Sequence, residues 1–338
     1  MTEPRMISAA DMAGEERLLA VVEALAEAFA DLSAGRTSSP SRTVVQHGPR
    51  RELLAAAAVW ERRGVGSVKI TTLTPDNPDR GLPLIHGTVV LTDLETGRIT
   101  ALLEGAELTA VRTGAVAALA TRLCAPEDAG DLAVIGAGVQ ARALVRAVSA
   151  VRPVRSVRVF SRTPARTEEF ARWVRETSGP AVEVTVCGTA KDAVVGAEIV
   201  CTTTSTSDPV PLVAAEWVAP GAHVNVIGGT DEHAIEVAPE LLADALVVVE
   251  ERAAAVEEAA EVRAALAAGL IGEHQLVELG ALVAGPAAGG RGGAVEGREG
   301  AAEGRGGAAD GRISVFRGVG MAIEDTAAAA ALYGAVGG

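Results

Sequence analysis

The stretch Leu132-Ala-Val-Ile135-Gly136-Ala-Gly138-Val-Gln140-Ala141 decides the fold. Its first four residues are apolar, two of them β-branched, and read as a buried strand. The run Val139–Ala150 behind them has helical spacing. Between strand and helix, Gly136 permits a tight turn and Gly138 leaves room for a ligand to approach the backbone, while Ala141 lets the helix lie close to the sheet. The unsatisfied N–H groups at the start of such a helix form an anion site. Strand, Gly-x-Gly-x-x-Ala turn and helix in direct succession are the setting in which this motif holds a dinucleotide pyrophosphate.

Outward from this turn, Ser156–Phe160, Val182–Val186, Glu198–Cys201, His223–Ile227 and Ala245–Val249 also read as strands. They alternate with helical stretches, the pattern of a doubly wound parallel sheet of the Rossmann type. Upstream, Glu15–Ala34 and Arg51–Arg63 have helical spacing, Ser67–Leu73, Gly87–Asp93 and Arg98–Leu103 read as strands, and a helix over Glu107–Leu123 closes the unit. Ala125–Gly130 has linker composition. Gly285–Gly311 is almost entirely Gly, Ala, Arg and Glu and is expected to be a flexible loop, because it has too little apolar surface to offset ordering. A strand, Ile313–Phe316, and a helix, Ala322–Tyr333, follow it. This tail has no sheet of its own and is expected to join one of the two domains.

With 338 residues, 49% hydrophobic and 22% charged, the chain has the composition of a globular protein of two domains. Aromatic residues are only 2%, so the core must be aliphatic. A net charge of −14 argues against nucleic acid or an anionic membrane as partner. No apolar run approaches a membrane span, and the N-terminus lacks the pattern of a secretory signal. Cys124, Cys187 and Cys201 form no Cys-x-x-Cys pair, which fits buried thiols in a reducing cytoplasm. The five histidines show no metal-binding spacing, and no metal is expected.

The end of the second strand bears on which dinucleotide is bound. An NAD site usually carries Asp or Glu there, about 20 residues beyond the glycines. The sequence instead reads Ser161-Arg162-Thr163, with Arg166 nearby. Those side chains suit a 2′-phosphate that a carboxylate would repel, so NADP(H) is favoured over NAD(H). The alternative for Arg162 is a solvated surface charge. Expected cofactor contacts are Gly136, Ala137, Gly138, Val139, Gln140, Ser161, Arg162, Thr163 and Arg166, together with Thr113, Thr203, Thr204, Ile227, Gly228 and Gly229.

Five separated motifs resemble the ornithine cyclodeaminase and mu-crystallin family. They are Gly66–Lys69, Leu108–Ala115, Ile135–Ala141, Trp217–Asn225 and Gly320–Asp325, and the likeness runs from about Arg42 to Leu332. The Gly/Ala-rich insert has no recognisable counterpart. The resemblance implies a homodimer in which a substrate-binding and dimerisation domain of α+β type, residues 1–125 with 312–338, faces a dinucleotide domain, residues 126–311. It also implies that Arg42, Lys69 and Arg112 surround a substrate carboxylate. Bottom-up, Arg112 lies in a small and apolar helix and Lys69 alternates with Val68 and Ile70, so both need anionic partners if buried. A structural salt bridge is the alternative for each.

In family members that cyclodeaminate ornithine, an Asp follows two glycines beside the nicotinamide. Here the strand runs into Gly228-Gly229-Thr230-Asp231, so Thr230 takes that place and Asp231 is shifted by one. The mu-crystallin branch, similar to ketimine reductases, carries a hydroxyl residue there and favours NADPH. The expected activity is therefore reduction of an imine bearing an α-carboxylate to an amino acid, with Lys69 as general acid and His86 as a second candidate. Cyclodeamination of a diamino acid with bound NAD, amino-acid dehydrogenation, and a non-catalytic dinucleotide-binding role are the alternatives.

Overall fold

The computed structural model describes residues 3–48, 51–83, 85–229, 233–285 and 311–336. Two compact units emerge, one formed by residues 1–115 with 320–338 and the other by 116–319.

The first unit opens with β1 (Arg5–Ile7), α1 (Ala9–Met12) and α2 (Glu15–Ser33). Then come β2 (Thr37–Ser38), β3 (Thr43–Gln46), β4 (Glu52–Trp60), β5 (Val65–Leu73), β6 (Ile85–Asp93) and β7 (Ile99–Glu104), before α3 (Gly105–Cys124). The strands form one sheet in the order β1-β7-β6-β5-β4-β2, with β3 also paired to β4. The register places Lys69 opposite both Ala56 and Val89, Val89 opposite Leu103, and Leu103 opposite Ile7. Directly opposed residues share a sheet face. Lys69 thus lies in a row in which Val89, Leu103 and Ile7 are buried.

The second unit alternates strand and helix. It contains β8 (Asp131–Ile135), α4 (Val139–Val151), β9 (Ser156–Phe160), α5 (Pro164–Ser178), β10 (Glu183–Val186), α6 (Ala190–Val194), β11 (Ile199–Thr202) and β12 (His223–Val226). After these come β13 (Leu246–Val249), α7 (Arg252–Glu258), α8 (Ala260–Ala267), β14 (Val277–Glu278), α9 (Leu279–Ala284) and β15 (Ser314–Arg317). All its strands pair in parallel, in the order β10-β9-β8-β11-β12-β15-β13-β14. The order reverses between β8 and β11, the switch point at which open α/β sheets bind ligands. Buried aliphatic residues from both faces fill two clusters, as a sheet covered on both sides requires. A buried polar chain crosses this core: His223 meets Ser314 at 2.9 Å and Asn225 at 3.2 Å, and Asn225 donates to Thr121 at 2.9 Å. Burial holds the His223 imidazole neutral, its pKa down to about 4.

The final helix, α10 (Ala322–Val336), belongs to the first unit and packs on α2 and on β4 and β5. The tail therefore divides. Residues 312–338 read in the sequence as one block with the first domain, yet β15 lies between β12 and β13, where both its faces are buried. The sequence reading of Arg51–Arg63 as a helix is also corrected. Its alanines favour helix locally, but β4 pairs along its length with β5 and at its start with β3, and this tertiary pairing overrides propensity. The expected flexible loop falls mostly on residues 286–310, outside the described residues.

Candidate active site

The buried charges of the first unit converge where the inner face of β5 meets α3 and α10. Lys69 donates to Thr109 Oγ1 at 2.6 Å and to Asp325 Oδ1 at 3.2 Å. Thr109 gives its own hydroxyl proton to the Gly105 carbonyl at 2.7 Å, which leaves its oxygen free to accept from Lys69. One turn along α3, Arg112 pairs through Nη1 with Glu324 at 2.8 Å and lies 3.5 Å from Asp325. The Glu324 side chain is fully buried, and its other oxygen accepts the Met321 N–H at 2.7 Å, capping α10. Gly320 backs onto Arg112: a Cβ there would come within 3.0 Å of the guanidinium.

Burial pushes the Lys69 ammonium below its ordinary pKa of 10.5. The negative charge of Asp325 opposes this, and the positive charge of Arg112 adds to it. Lys69 is unusual in another respect. Of the 30 cationic side chains of Lys and Arg type, only Lys69 and Lys191 are lysines. Arg cannot be deprotonated in a protein, whereas the pKa of a Lys shifts readily on burial.

The remaining expected residues of this unit lie as follows. Arg42 is exposed and immediately precedes β3, whose Thr43 pairs with Ala55, the neighbour of the Ala56 that opposes Lys69. His86 stands opposite Thr72, on the sheet face away from Lys69, and is exposed, so the structure does not bring the two together. Thr113 is buried on α3 beside Arg112. Thr230 and Asp231 lie outside the described residues.

In the second unit the glycine turn sits at the switch point. Gly136 has φ +121, and a Cβ there would strike the Thr203 hydroxyl and carbonyl, so this glycine serves the chain's own packing. Gly138 is different. Its φ of −93 suits any residue, and a Cβ there would meet nothing within 4 Å. Gly136, Ala137, Ser161, Arg162, Thr163, Arg166, Thr203 and Thr204 line one cleft, which contains no carboxylate. Thr163 precedes the first residue of α5, so Arg162 and Arg166 flank that helix start. Val139 and Gln140 begin α4, and the Gln140 side-chain oxygen is buried without a hydrogen-bond partner. Ile227, Gly228 and Gly229 follow β12, with Ile227 and Gly228 N–H groups bonded to the Thr202 carbonyl at 3.0 and 3.1 Å.

With this geometry in place, the relatives are informative. The model of the ornithine cyclodeaminase/mu-crystallin family matches residues 2–338. The chain belongs to this family. It is 34% identical over 95% of its length to a Delta(1)-pyrroline-2-carboxylate reductase of Bacillus cereus, covering 94% of that protein. It is 29% identical to the ketimine reductase mu-crystallin of Mus musculus, with 94% of this chain and 91% of that one covered. Among solved structures, the Delta(1)-pyrroline-2-carboxylate reductase of Thermococcus litoralis, in complex with NADH and L-proline, superposes with a TM-score of 0.83. Its identity is 28%, over 98% of this chain and 96% of that one.

Family motifs acquire physical reasons here. Gly320–Asp325 supplies the two acids that face Lys69 and Arg112, and Trp217–Asn225 supplies the His223 and Asn225 core network. Sequence reading named the cations and missed the acids, although an acidic residue at the third position of a helix start was a visible signal. Cys124 and Cys201 are buried, their thiols pushed up to about 12, and Cys187 is raised as well. Among the described residues no cluster of metal-ligating side chains occurs, and no helix is long and apolar enough to cross a membrane.

The Lys69–Asp325 contact makes a direct prediction. Replacing Asp325 with Asn removes the charge that favours the ammonium, so the Lys69 pKa should fall further, by about one pH unit or more. Carbon-13 labelling of lysine resolves this cleanly, since only Lys69 and Lys191 give signals. A Lys69 midpoint that stays put or rises would show that Asp325 does not set it.

Proposed function

We propose that this chain is an NAD(P)H-dependent reductase of imines carrying an α-carboxylate, cyclic ketimines or α-imino acids, and yields the corresponding amino acid. The observation that carries this reading is Lys69, a buried and depressed ammonium with two of its protons committed to Thr109 and Asp325 and one left for a substrate nitrogen. Names carried by the relatives support it, since those proteins are reductases of C=N bonds.

The turn at Gly136–Gln140 fits a dinucleotide on its own evidence. Nothing in the chain requires glycine at 138, which leaves a ligand lying against the backbone as the reason for it. When bound, the reduced dinucleotide supplies a hydride to the imine carbon. Arg112, with Lys69 and Arg42, fixes the carboxylate and so orients the C=N bond. Lys69 donates a proton to the imine nitrogen, because hydride adds readily only to the iminium form. One hydride on carbon and one proton on nitrogen complete the amine, and neutral Lys69 regains its proton from solvent. Thr230 and Asp231, catalytic candidates from the sequence, lie outside the described residues and carry no step here. His86 takes no part in this scheme.

Lys69→Met should nearly abolish turnover while leaving dinucleotide binding intact. In the wild type, kcat/KM should fall as pH rises through the Lys69 pKa, since only the ammonium can donate; the fall begins below 10.5 because that pKa is lowered. Absorbance of the reduced cofactor, followed with small cyclic imines, 2-oxo acids plus amines, and ornithine, tests the reaction class. Stoichiometric oxidation with an imine is the expected result. Ammonia release from ornithine without net cofactor change would replace the proposal with cyclodeamination.

NADP(H) is the proposed cofactor. Among the described residues Arg162 and Arg166 have no carboxylate partner, and the cleft they line has none. Two free guanidiniums at a helix start suit a 2′-phosphate. Arg162→Ala should lower kcat/KM for NADPH about tenfold and leave NADH within about twofold, given the worth of an exposed charged hydrogen bond. Equal effects on both cofactors would count against the assignment.

We also infer a homodimer built on the first unit's sheet. Met6, Val45, Leu53, Val68 and Ile70 lie on the face away from Lys69 and are all exposed, a contiguous apolar surface unusual for a monomer. Light scattering should give twice the chain mass for the wild type and a monomer for Val68→Asp with Ile70→Asp. A dimer that survives both changes would place the interface elsewhere.

A further inference from the structure

Another buried carboxyl group, that of Glu236, belongs to the second unit and takes no part in the chemistry above. Its Oε1 accepts from the Thr204 N–H and hydroxyl, both at 2.7 Å, and its Oε2 accepts from the Thr202 hydroxyl at 2.6 Å. Its backbone carbonyl takes the N–H groups of Leu212 and Val213, both at 3.0 Å. Gly228 lies directly against the carboxylate: any Cβ there would overlap Glu236 Oε1 and the Thr204 backbone. Glu236 thus binds the segment after β11 and, through the missing Cβ of Gly228, fixes how closely the segment after β12 can approach it.

Arg317 completes the arrangement from the other side. It is 2% exposed and donates to the carbonyls of Val226 at 3.3 Å, Gly229 at 2.9 Å and Gly318 at 2.5 Å. Its Nε pairs with buried Glu261 at 2.7 Å. Gly229 has φ +64, the left-handed conformation in which its carbonyl turns toward that guanidinium. Burial pushes the Glu236 carboxyl up, opposed by its hydrogen bonds from Thr202 and Thr204. The turn Gly228-Gly229 is therefore held between that carboxyl group, acting through Thr204, and a cation acting on its carbonyl. The same Thr202–Thr204 segment supplies the Thr203 that packs on Gly136.

Burying a carboxylate and a guanidinium fully is costly, and replacing them by apolar groups often stabilises a fold. The sheet alone does not need them, because the backbone bonds of β11 and β12 are already made. We propose that Glu236, with Arg317, is a positioning residue that sets the strand-end turns Thr203–Thr204 and Ile227–Gly229 for the nicotinamide half of the dinucleotide. This rests on the cofactor reading above. Among the described residues Ser161, Arg162 and Arg166, assigned to the adenosine half, make no hydrogen bond to Glu236 or Arg317; Thr203 and Thr204 border their cleft, and Ile227–Gly229 do not.

That division gives the test. Isothermal titration compares Glu236→Gln with the wild type, using NADPH and, separately, 2′,5′-ADP, which carries only the adenosine half; NADH and ADP replace them if the wild type prefers NADH. Gln can keep its oxygen toward Thr204 and donate its NH2 to the Thr202 hydroxyl, so the variant replaces the carboxyl group by a weaker, neutral acceptor without leaving a partner unmatched. NADPH binding should weaken about tenfold or more, with 2′,5′-ADP, which meets only the Thr203–Thr204 side of the clamp, weakened by about threefold at most. Unchanged affinity for both ligands overturns the proposal, and so does a parallel loss of both, which would mark a general structural role. If Glu236→Gln does not fold, the near-isosteric Thr202→Val decides: it removes one donor, and should weaken NADPH about threefold with the same split between ligands. No change in NADPH binding by that variant overturns the proposal. A wild-type chain that binds neither dinucleotide would defeat the cofactor reading itself, an outcome distinct from a wild type that binds and a variant that binds equally well.

Discussion

Burying charge in an aliphatic core is the constraint on which both units depend. An ammonium or guanidinium taken out of water costs several kcal/mol unless an anion and hydrogen bonds receive it. The first unit meets this cost for Lys69 and Arg112 with Asp325 and Glu324, both from the first turn of α10. In the second unit, Arg317 is met by Glu261 and by three carbonyls. Each cluster ties the C-terminal segment to an earlier strand. The alanines of α10 are small enough to let its acidic turn reach the sheet, and Ala327, Ala328 and Ala329 are fully buried there. Packing and charge therefore specify the same placement of the tail.

How much of this was legible in the sequence depended on what each segment buries. The second unit was read almost strand for strand, because parallel strands buried on both faces leave short apolar runs between turn residues. β9 matches its expected limits, and β8, β10, β11, β12 and β13 differ only at their ends. β4 was lost because four consecutive alanines carry no period, so neither 2 nor 3.6 could be distinguished, and pairing with β5 settled the matter. In the site, the cations were visible because charge in an apolar setting stands out. Their acids were not, since Glu and Asp at a helix start have an ordinary local explanation. Glu236 was invisible for a related reason: its partners are hydroxyls and backbone groups from segments more than 30 residues away.

The two glycines of the dinucleotide turn also came apart under structure. Gly136 and Gly138 belong to one motif, but one answers to Thr203 and the other, among the described residues, would meet nothing within 4 Å. That open space is where the proposed dinucleotide would lie against the backbone. In a chain with Arg at nearly every cationic position, the half-buried Lys69 is the cation whose proton is removable, which is what the proposed chemistry uses.

The two units meet anions in different ways, and the difference bears on substrate choice. Arg162 and Arg166 are exposed and unneutralised, so they add positive charge against the −14 background wherever a phosphate arrives. Lys69 and Arg112 are already balanced by Asp325 and Glu324. On the proposed reading, a carboxylate entering that balanced cluster adds one negative charge, and the proton that Lys69 hands to the imine nitrogen places a positive charge beside it without changing the total. A keto acid offers the carboxylate but no nitrogen to take that proton, and a simple imine offers the nitrogen but no carboxylate to be held. The pairing of Lys69 and Arg112 with protein acids, which at first looks like a purely structural use of charge, is on that reading suited to a substrate that carries both groups, as an imino acid does.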